Sequence, residues 1–156
     1  MNPFGSRWEE LFYCQHKPTD RLVCEFGQWL REKPNKVQEV VLYHGTDANL
    51  PIPIEGLRPT SPNRRRSLQS ASGFVYLSVF PGMARDFGSL GNPGRQIVVY
   101  EVRVLIGQLK PDTDQLNNQR AWAEMPVKNT LAHSLIFGHG ARVRGRISPG
   151  LIRLMS

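Results

Sequence analysis

Cysteine is scarce: Cys14 and Cys24 are the only two. They do not form a CxxC pair and cannot supply a four-ligand zinc site, so a disulfide framework and a cysteine-built metal centre are set aside. Reduced thiols in a cytoplasmic protein are the expectation. Long apolar runs are missing too. None approaches the ~20 residues that a membrane-spanning helix needs, so no membrane partner is expected. The stretch from Met1 to Glu9 has no basic region followed by an apolar core, which predicts no signal peptide. There is no internal repeat, low-complexity tract or linker. His16, His133 and His139 have no metal-ligand spacing with carboxylates, and no metal is expected.

What is present is an ordinary globular composition, 40% hydrophobic, with 12 Pro and 14 Gly over 156 residues. Length predicts a single domain, 1–156, able to build its own core. The proline and glycine content predicts many turns and short strands. Twenty Lys and Arg against 13 Asp and Glu leave a net charge of +7. That surplus favours anionic partners: nucleic acid, a dinucleotide or an acidic protein.

Residues 1–36 read as an N-terminal helical segment packed on the domain. Trp8, Leu11 and Phe12 have helical spacing. Asp20 is the expected N-cap of a second helix carrying Leu22, Val23, Phe26, Trp29 and Leu30, which Lys33-Pro34-Asn35 ends. A strand is expected over 38–43, stopping at His44-Gly45-Thr46. The prolines of 51–59 argue against a regular helix. A polar loop with Arg64, Arg65 and Arg66 fills 60–72. A second strand is expected over 73–78, a short helix around Met83–Phe87, and a glycine-rich loop from Gly88 to Gly94. A third strand, Gln96–Leu105, is the longest. Lys110 to Asp114 reads as a turn. Residues 115–140 read as irregular, with a strand or helix turn at Leu131–Phe137. From Ala141 to Ile147 the pattern alternates strictly, placing Arg142, Arg144 and Arg146 on one face. A last strand is expected over 151–155. Helices followed by a β-rich body with short helices between strands give an α+β class.

Two stretches carry chemistry. Tyr43-His44-Gly45-Thr46 ends one apolar strand, and Gly73-Phe74-Val75-Tyr76-Leu77-Ser78 forms another. In this order they resemble the ADP-ribosyltransferase superfamily, in its His-Tyr-acid class. The likeness covers roughly 40–115 and extends to the small rifampin ADP-ribosyltransferases, which also have a His-Gly-Thr start, a Val-Tyr strand and an acid beyond the third apolar strand. The resemblance implies a split β-sandwich with short helices, and NAD as the substrate whose ADP-ribose is transferred to an acceptor. It implies that His44 hydrogen-bonds ribose hydroxyls and that Gly45 offers its backbone to the nicotinamide amide. Tyr76 would stack on the nicotinamide ring. Thr46 and Ser78 would support the site, and Arg58 or one of Arg64, Arg65 and Arg66 would meet the pyrophosphate. The catalytic acid falls at Asp112 by that comparison, with Asp114 and Glu124 as alternatives. Asp112 and Asp114 equally suit turn caps in Lys-Pro-Asp-Thr-Asp, and the last two strands contain no glutamate.

The expected acceptor is a macromolecule, RNA or DNA met through Arg64, Arg65, Arg66, Arg142, Arg144 and Arg146, or a protein. A toxin role with an antitoxin or inhibitor protein as partner follows from size and kind. Gly56-Leu57-Arg58-Pro59 also matches the NAD-dependent RNA 2′-phosphotransferases, although Tyr76 stands where their strand has His. A third alternative is a non-enzymatic basic domain that binds nucleic acid.

Overall fold

The computed structural model describes residues 2–13, 18–59, 73–120 and 127–155. The expectations for Cys14, His16, Arg64, Arg65, Arg66, Glu124 and the 60–72 loop lie outside those residues. The chain is α+β. A 3-10 turn at Ser6–Trp8 leads into α1 (Glu9–Tyr13). Helix α2 (Asp20–Arg31) follows, then the one-turn α3 (Lys33–Lys36). Val23, Phe26, Gly27 and Leu30 form the buried stripe of α2, the spacing of an amphipathic helix. Its N-cap is Thr19 rather than the expected Asp20: the Thr19 hydroxyl accepts from the Leu22 amide at 3.3 Å, and Asp20 is already in the first turn.

Strand β1 (Glu39–Asp47) precedes the one-turn α4 (Ile52–Glu55). Then come β2 (Phe74–Ser78), α5 (Pro81–Gly91) and β3 (Ile97–Leu105). The two-residue β4 (Leu109–Lys110), α6 (Thr113–Arg120), α7 (Leu131–Phe137), β5 (Gly140–Arg144) and β6 (Ile152–Leu154) complete the order. The strands form one antiparallel sheet in the order β4-β5-β2-β1-β3-β6.

Val40 and Leu42, Val75 and Leu77, Val102 and Val104, and Ala141 and Val143 turn one face of this sheet into a core. Phe26 and Leu30 of α2 and Leu135 and Ile136 of α7 pack on it, as do Phe4 and Trp8. The aromatic rings of the N-terminal segment lock together, Trp8 lying 5.1 Å and Phe4 5.5 Å from Phe26 between centroids. Helix α5 covers the opposite face of β1 and β3.

Several boundaries differ from the sequence expectation. β1 does not stop at Tyr43 but runs through His44-Gly45-Thr46 to Asp47. Gly88 and Gly91 lie in α5, not in a loop. Thr113–Arg120 is helical, although its residues show no apolar periodicity, because Asp112 and the packing of Leu116 start and seat it. Prolines 51 and 53 sit before and within the first turn of α4, where a missing N–H costs little. β5 ends at Arg144, so Arg146 lies outside the strand whose face it was expected to share. Among the described residues no helix is long and apolar enough to cross a membrane.

Candidate active site

β1 pairs with β3 along its whole length, from Glu39↔Leu105 to Asp47↔Ile97. β2 pairs with β5 likewise, from Phe74↔Arg144 to Ser78↔Gly140. Between β1 and β2 a single registered pair remains, Tyr43↔Ser78. The sheet is thus two three-stranded halves joined at one seam. Beyond that pair the end of β1 and the start of β2 part.

His44 spans the parting. Its Nδ1 donates to the Tyr76 carbonyl at 2.7 Å. A carbonyl only accepts, so the Nδ1 proton is fixed, and in the neutral ring Nε2 is the accepting nitrogen. By parity His44 belongs to the core-facing row of Val40 and Leu42, whereas Tyr76 and Gly45 belong to the other face. The His44 ring therefore reaches the backbone of β2 where the sheet opens.

A cavity of about 630 Å³ lies at this opening, within the ~300–1,000 Å³ usual for small-molecule sites. Its walls bring together His44, Gly45, Thr46, Arg58, Tyr76 and Ser78, with Asp112 and Asp114. Thr46 and Ser78 are buried. Arg58 is exposed at the rim, its guanidinium 3.6 Å from the Glu55 carboxylate. The preceding Leu57 is buried and bridges to Ile147.

The two acids divide their work. Asp114 Oδ2 accepts from the Tyr76 hydroxyl at 3.1 Å. Arg142 stands behind both, its guanidinium 3.5 Å from the Tyr76 oxygen and 3.9 Å from the Asp114 carboxylate. With its side chain only 13% exposed, Arg142 is largely turned away from solvent. Its Nε is buried with no hydrogen-bond partner among the described residues, and its guanidinium lies 4.1 Å over the Phe74 ring.

Asp112 is the N-cap of α6: its Oδ1 accepts from the Gln115 amide at 3.1 Å. Its own amide donates to Ser134 Oγ at 2.9 Å, and that hydroxyl donates to the Gly140 carbonyl at 2.6 Å. Buried Ser134 thus ties the start of α6 to β5 and fixes Asp114 against Tyr76. Burial pushes the Asp112 carboxyl above its ordinary value. The Gln115 amide pulls the other way, the Asp114 charge adds to the rise and Arg142 opposes it. The folded state therefore holds a proton at Asp112 that the unfolded chain releases sooner. Stability falls as pH climbs from the ordinary 3.8 through the raised value, and the cost is complete above it. Asp112→Asn keeps the cap, since Asn serves there as well as Asp, and removes the charge burial. Melting temperatures between pH 3 and 7 should show the variant at least as stable as the parent at neutral pH. The gain should vanish below about pH 4, and nothing like the ~1 kcal/mol of a lost cap should appear.

Gly45 has a reason to lack a side chain besides any ligand. A Cβ there would stand 2.0 Å from the Ala84 carbonyl oxygen of α5, and one on Gly88 would stand 2.7 Å from the Gly45 carbonyl carbon. The helix rests directly on the strand. The same seating brings Phe87, one turn on from Ala84, to the cavity wall, so that aromatic rings from β2 and α5 both border the space. Phe87, Ser134 and the placement of Arg142 were not singled out from sequence. Only Phe87 left a local signal there, as the aromatic one turn beyond a small residue. His133 and His139 serve structure: His133 Nδ1 meets Thr130 Oγ1 at 2.6 Å, and the His139 ring packs 5.5 Å from Phe80. Among the described residues no group of three His, Cys, Asp or Glu could hold a metal ion. Comparison with protein-family models, curated proteins and solved structures returned no match.

Proposed function

We propose that this chain is an ADP-ribosyltransferase that cleaves NAD and passes ADP-ribose to an acceptor. One observation carries the reading: His44, Tyr76 and Asp114 converge on a single cavity where two otherwise paired strands part. The near-division of the sheet into halves supports assignment to the split β-sandwich of that superfamily.

In this reading the nicotinamide ring lies between the aromatic walls of Tyr76 and Phe87. His44, held by its Nδ1 on the Tyr76 carbonyl, orients a ribose hydroxyl through Nε2, and Arg58 at the rim meets the pyrophosphate. The bond from ribose C1′ to the nicotinamide nitrogen breaks, and its electron pair leaves with nicotinamide. Positive charge develops on the ribose, and the Asp114 carboxylate is the negative group beside it. The acceptor nucleophile bonds to C1′ and gives its proton to that carboxylate or to water. Asp114 is preferred over Asp112 because Asp112 is engaged as a helix cap, whereas Asp114 touches Tyr76.

Nicotinamide release and transfer of labelled ADP-ribose test this directly. Asp114→Asn is expected to lower release about 100-fold or more, with Asp112→Asn much less affected. Arg142 is only 13% exposed, so loss of the Asp114 carboxylate leaves a largely buried cation and should cost about 3 kcal/mol of stability, which thermal denaturation reads separately from turnover. No nicotinamide release by the parent protein, or equal release by parent and Asp114→Asn, sinks the proposal.

A further inference from the structure

The strand register places a second surface beside the cavity. Tyr76 stands opposite Arg142, Phe74 opposite Arg144, and Arg142 opposite Lys110. Directly opposed residues share a face, as do positions i and i+2. One continuous face therefore runs from Tyr76 at the cavity out to Phe74 and Arg144, and sideways to Lys110. The Arg144 guanidinium lies 4.8 Å over the Phe74 ring, and the residue is exposed. Arg146, just past the strand, donates from Nε to the Glu55 carbonyl at 2.6 Å, and Glu55 lines the cavity. Its guanidinium is thus pinned to the rim.

The carboxylates near this face already have cations: Asp114 has Arg142, and Glu55 has Arg58. Among the described residues Lys110, Arg144 and Arg146 form no ion pair with a carboxylate. Three exposed cations, one of them a guanidinium backed by an aromatic ring, therefore share the surface beside the cavity. Such a face suits a polyanion with flat bases, since phosphates pair with guanidinium and bases stack on aromatic or guanidinium planes.

We propose that Lys110, Arg144 and Arg146, with Phe74, hold a single-stranded polynucleotide and lead one of its nucleotides to the cavity beside Tyr76. Two residues along a strand span about 7 Å, so Phe74, with Arg144 opposite it on β5, is one extended nucleotide step from Tyr76. A duplex would have to unstack before a base or sugar entered the cavity. The binding face stands on the strand register and on the hydrogen bond that places Arg146, and is independent of the reaction. The further step, that the delivered nucleotide is the acceptor of ADP-ribose, rests on the reaction proposed above.

The test is fluorescence anisotropy of labelled 12-mers, as single-stranded DNA, single-stranded RNA and duplex DNA of one sequence, over 50–200 mM salt. Single strands should bind more tightly than duplex. Arg144→Ala with Arg146→Ala should weaken binding tenfold or more and flatten the salt dependence by about 1.4 in log–log slope, ~0.7 for each phosphate that is no longer neutralised. Arg21→Ala with Lys33→Ala removes the same charge from the exposed side of α2 and α3 and should change affinity less than about threefold. Arg146→Ala alone leaves the Phe74 stacking in place and keeps the test open if the double variant melts early. Absence of binding, preference for duplex, or equal weakening by the two double variants overturns the surface. Labelled NAD is then supplied with the oligonucleotides and, separately, with a mixed protein pool. Label in protein and not in oligonucleotide overturns the acceptor. Binding that follows the variants without any nicotinamide release upholds the surface and overturns the reaction.

Discussion

Replacing His44 by alanine is expected to cut nicotinamide release about 100-fold or more, the usual effect of losing a group that positions the reacting sugar. The residue is singled out by where its ring lies. It leaves the core-facing row of β1 and crosses to the Tyr76 carbonyl, which fixes its tautomer and its plane at the mouth of the cavity. The lost hydrogen bond should cost only about 1 kcal/mol, or roughly 2–4 °C in melting temperature for a chain of this size. Activity and stability therefore separate, and thermal denaturation beside the turnover assay distinguishes a damaged site from a damaged fold. His44→Gln keeps a donor and an acceptor on a flexible stem and should recover part of the loss. Parent-like turnover by His44→Ala in a well-folded protein is the outcome that defeats the proposed role.

Gly45→Val is expected to be the most damaging single change to the fold itself. Even the first carbon of the new side chain would lie 2.0 Å from the Ala84 carbonyl oxygen and 2.6 Å from its carbon. Both are backbone atoms, so no rotamer relieves the clash and α5 must move. Overpacking of this kind costs about 3 kcal/mol or more, or roughly 10 °C in melting temperature. Because α5 also carries Phe87 to the cavity, turnover should fall with stability. Gly82→Ala is the control within the same helix: its Cβ would meet nothing within 4 Å, and it should be neutral or slightly stabilising. A Gly45→Val protein that melts like the parent would show that the helix does not rest on the strand in this way.

The close approach of α5 to β1 also explains what was hard to read in the sequence. His44-Gly45-Thr46 has the look of a strand ending in a turn, and Gly88 and Gly91 have the look of a loop, because glycine usually marks a break. At Gly45 and Gly88 it marks the seating of helix on strand, and that depends on a partner about 40 positions away. Local pattern did expose the apolar strands, the stripe of α2 and the polar residues His44 and Tyr76. It could not show that Arg142 turns inward, since the alternation that places it beside Arg144 is the same whether the face meets solvent or a carboxylate. The roles of Asp112 and Asp114 separated only once the Ser134 link from α7 to β5 set the first turn of α6.

The single-pair seam between the halves of the sheet has a mechanical consequence. A strand pair usually gains cohesion from a row of mutual hydrogen bonds, and here the middle of the sheet has nearly given that row up. Whatever fills the gap then acts as mortar between two blocks, and its grip is added to the least paired joint of the sheet among the described residues. A ligand that bridges the seam should raise the melting temperature as its concentration rises and slow amide exchange first at the β1 and β2 positions that face the seam, ahead of those held in the β1–β3 and β2–β5 ladders. Opening for substrate and vulnerability to unfolding would then be properties of one line through the molecule, governed by how firmly the blocks on either side are held.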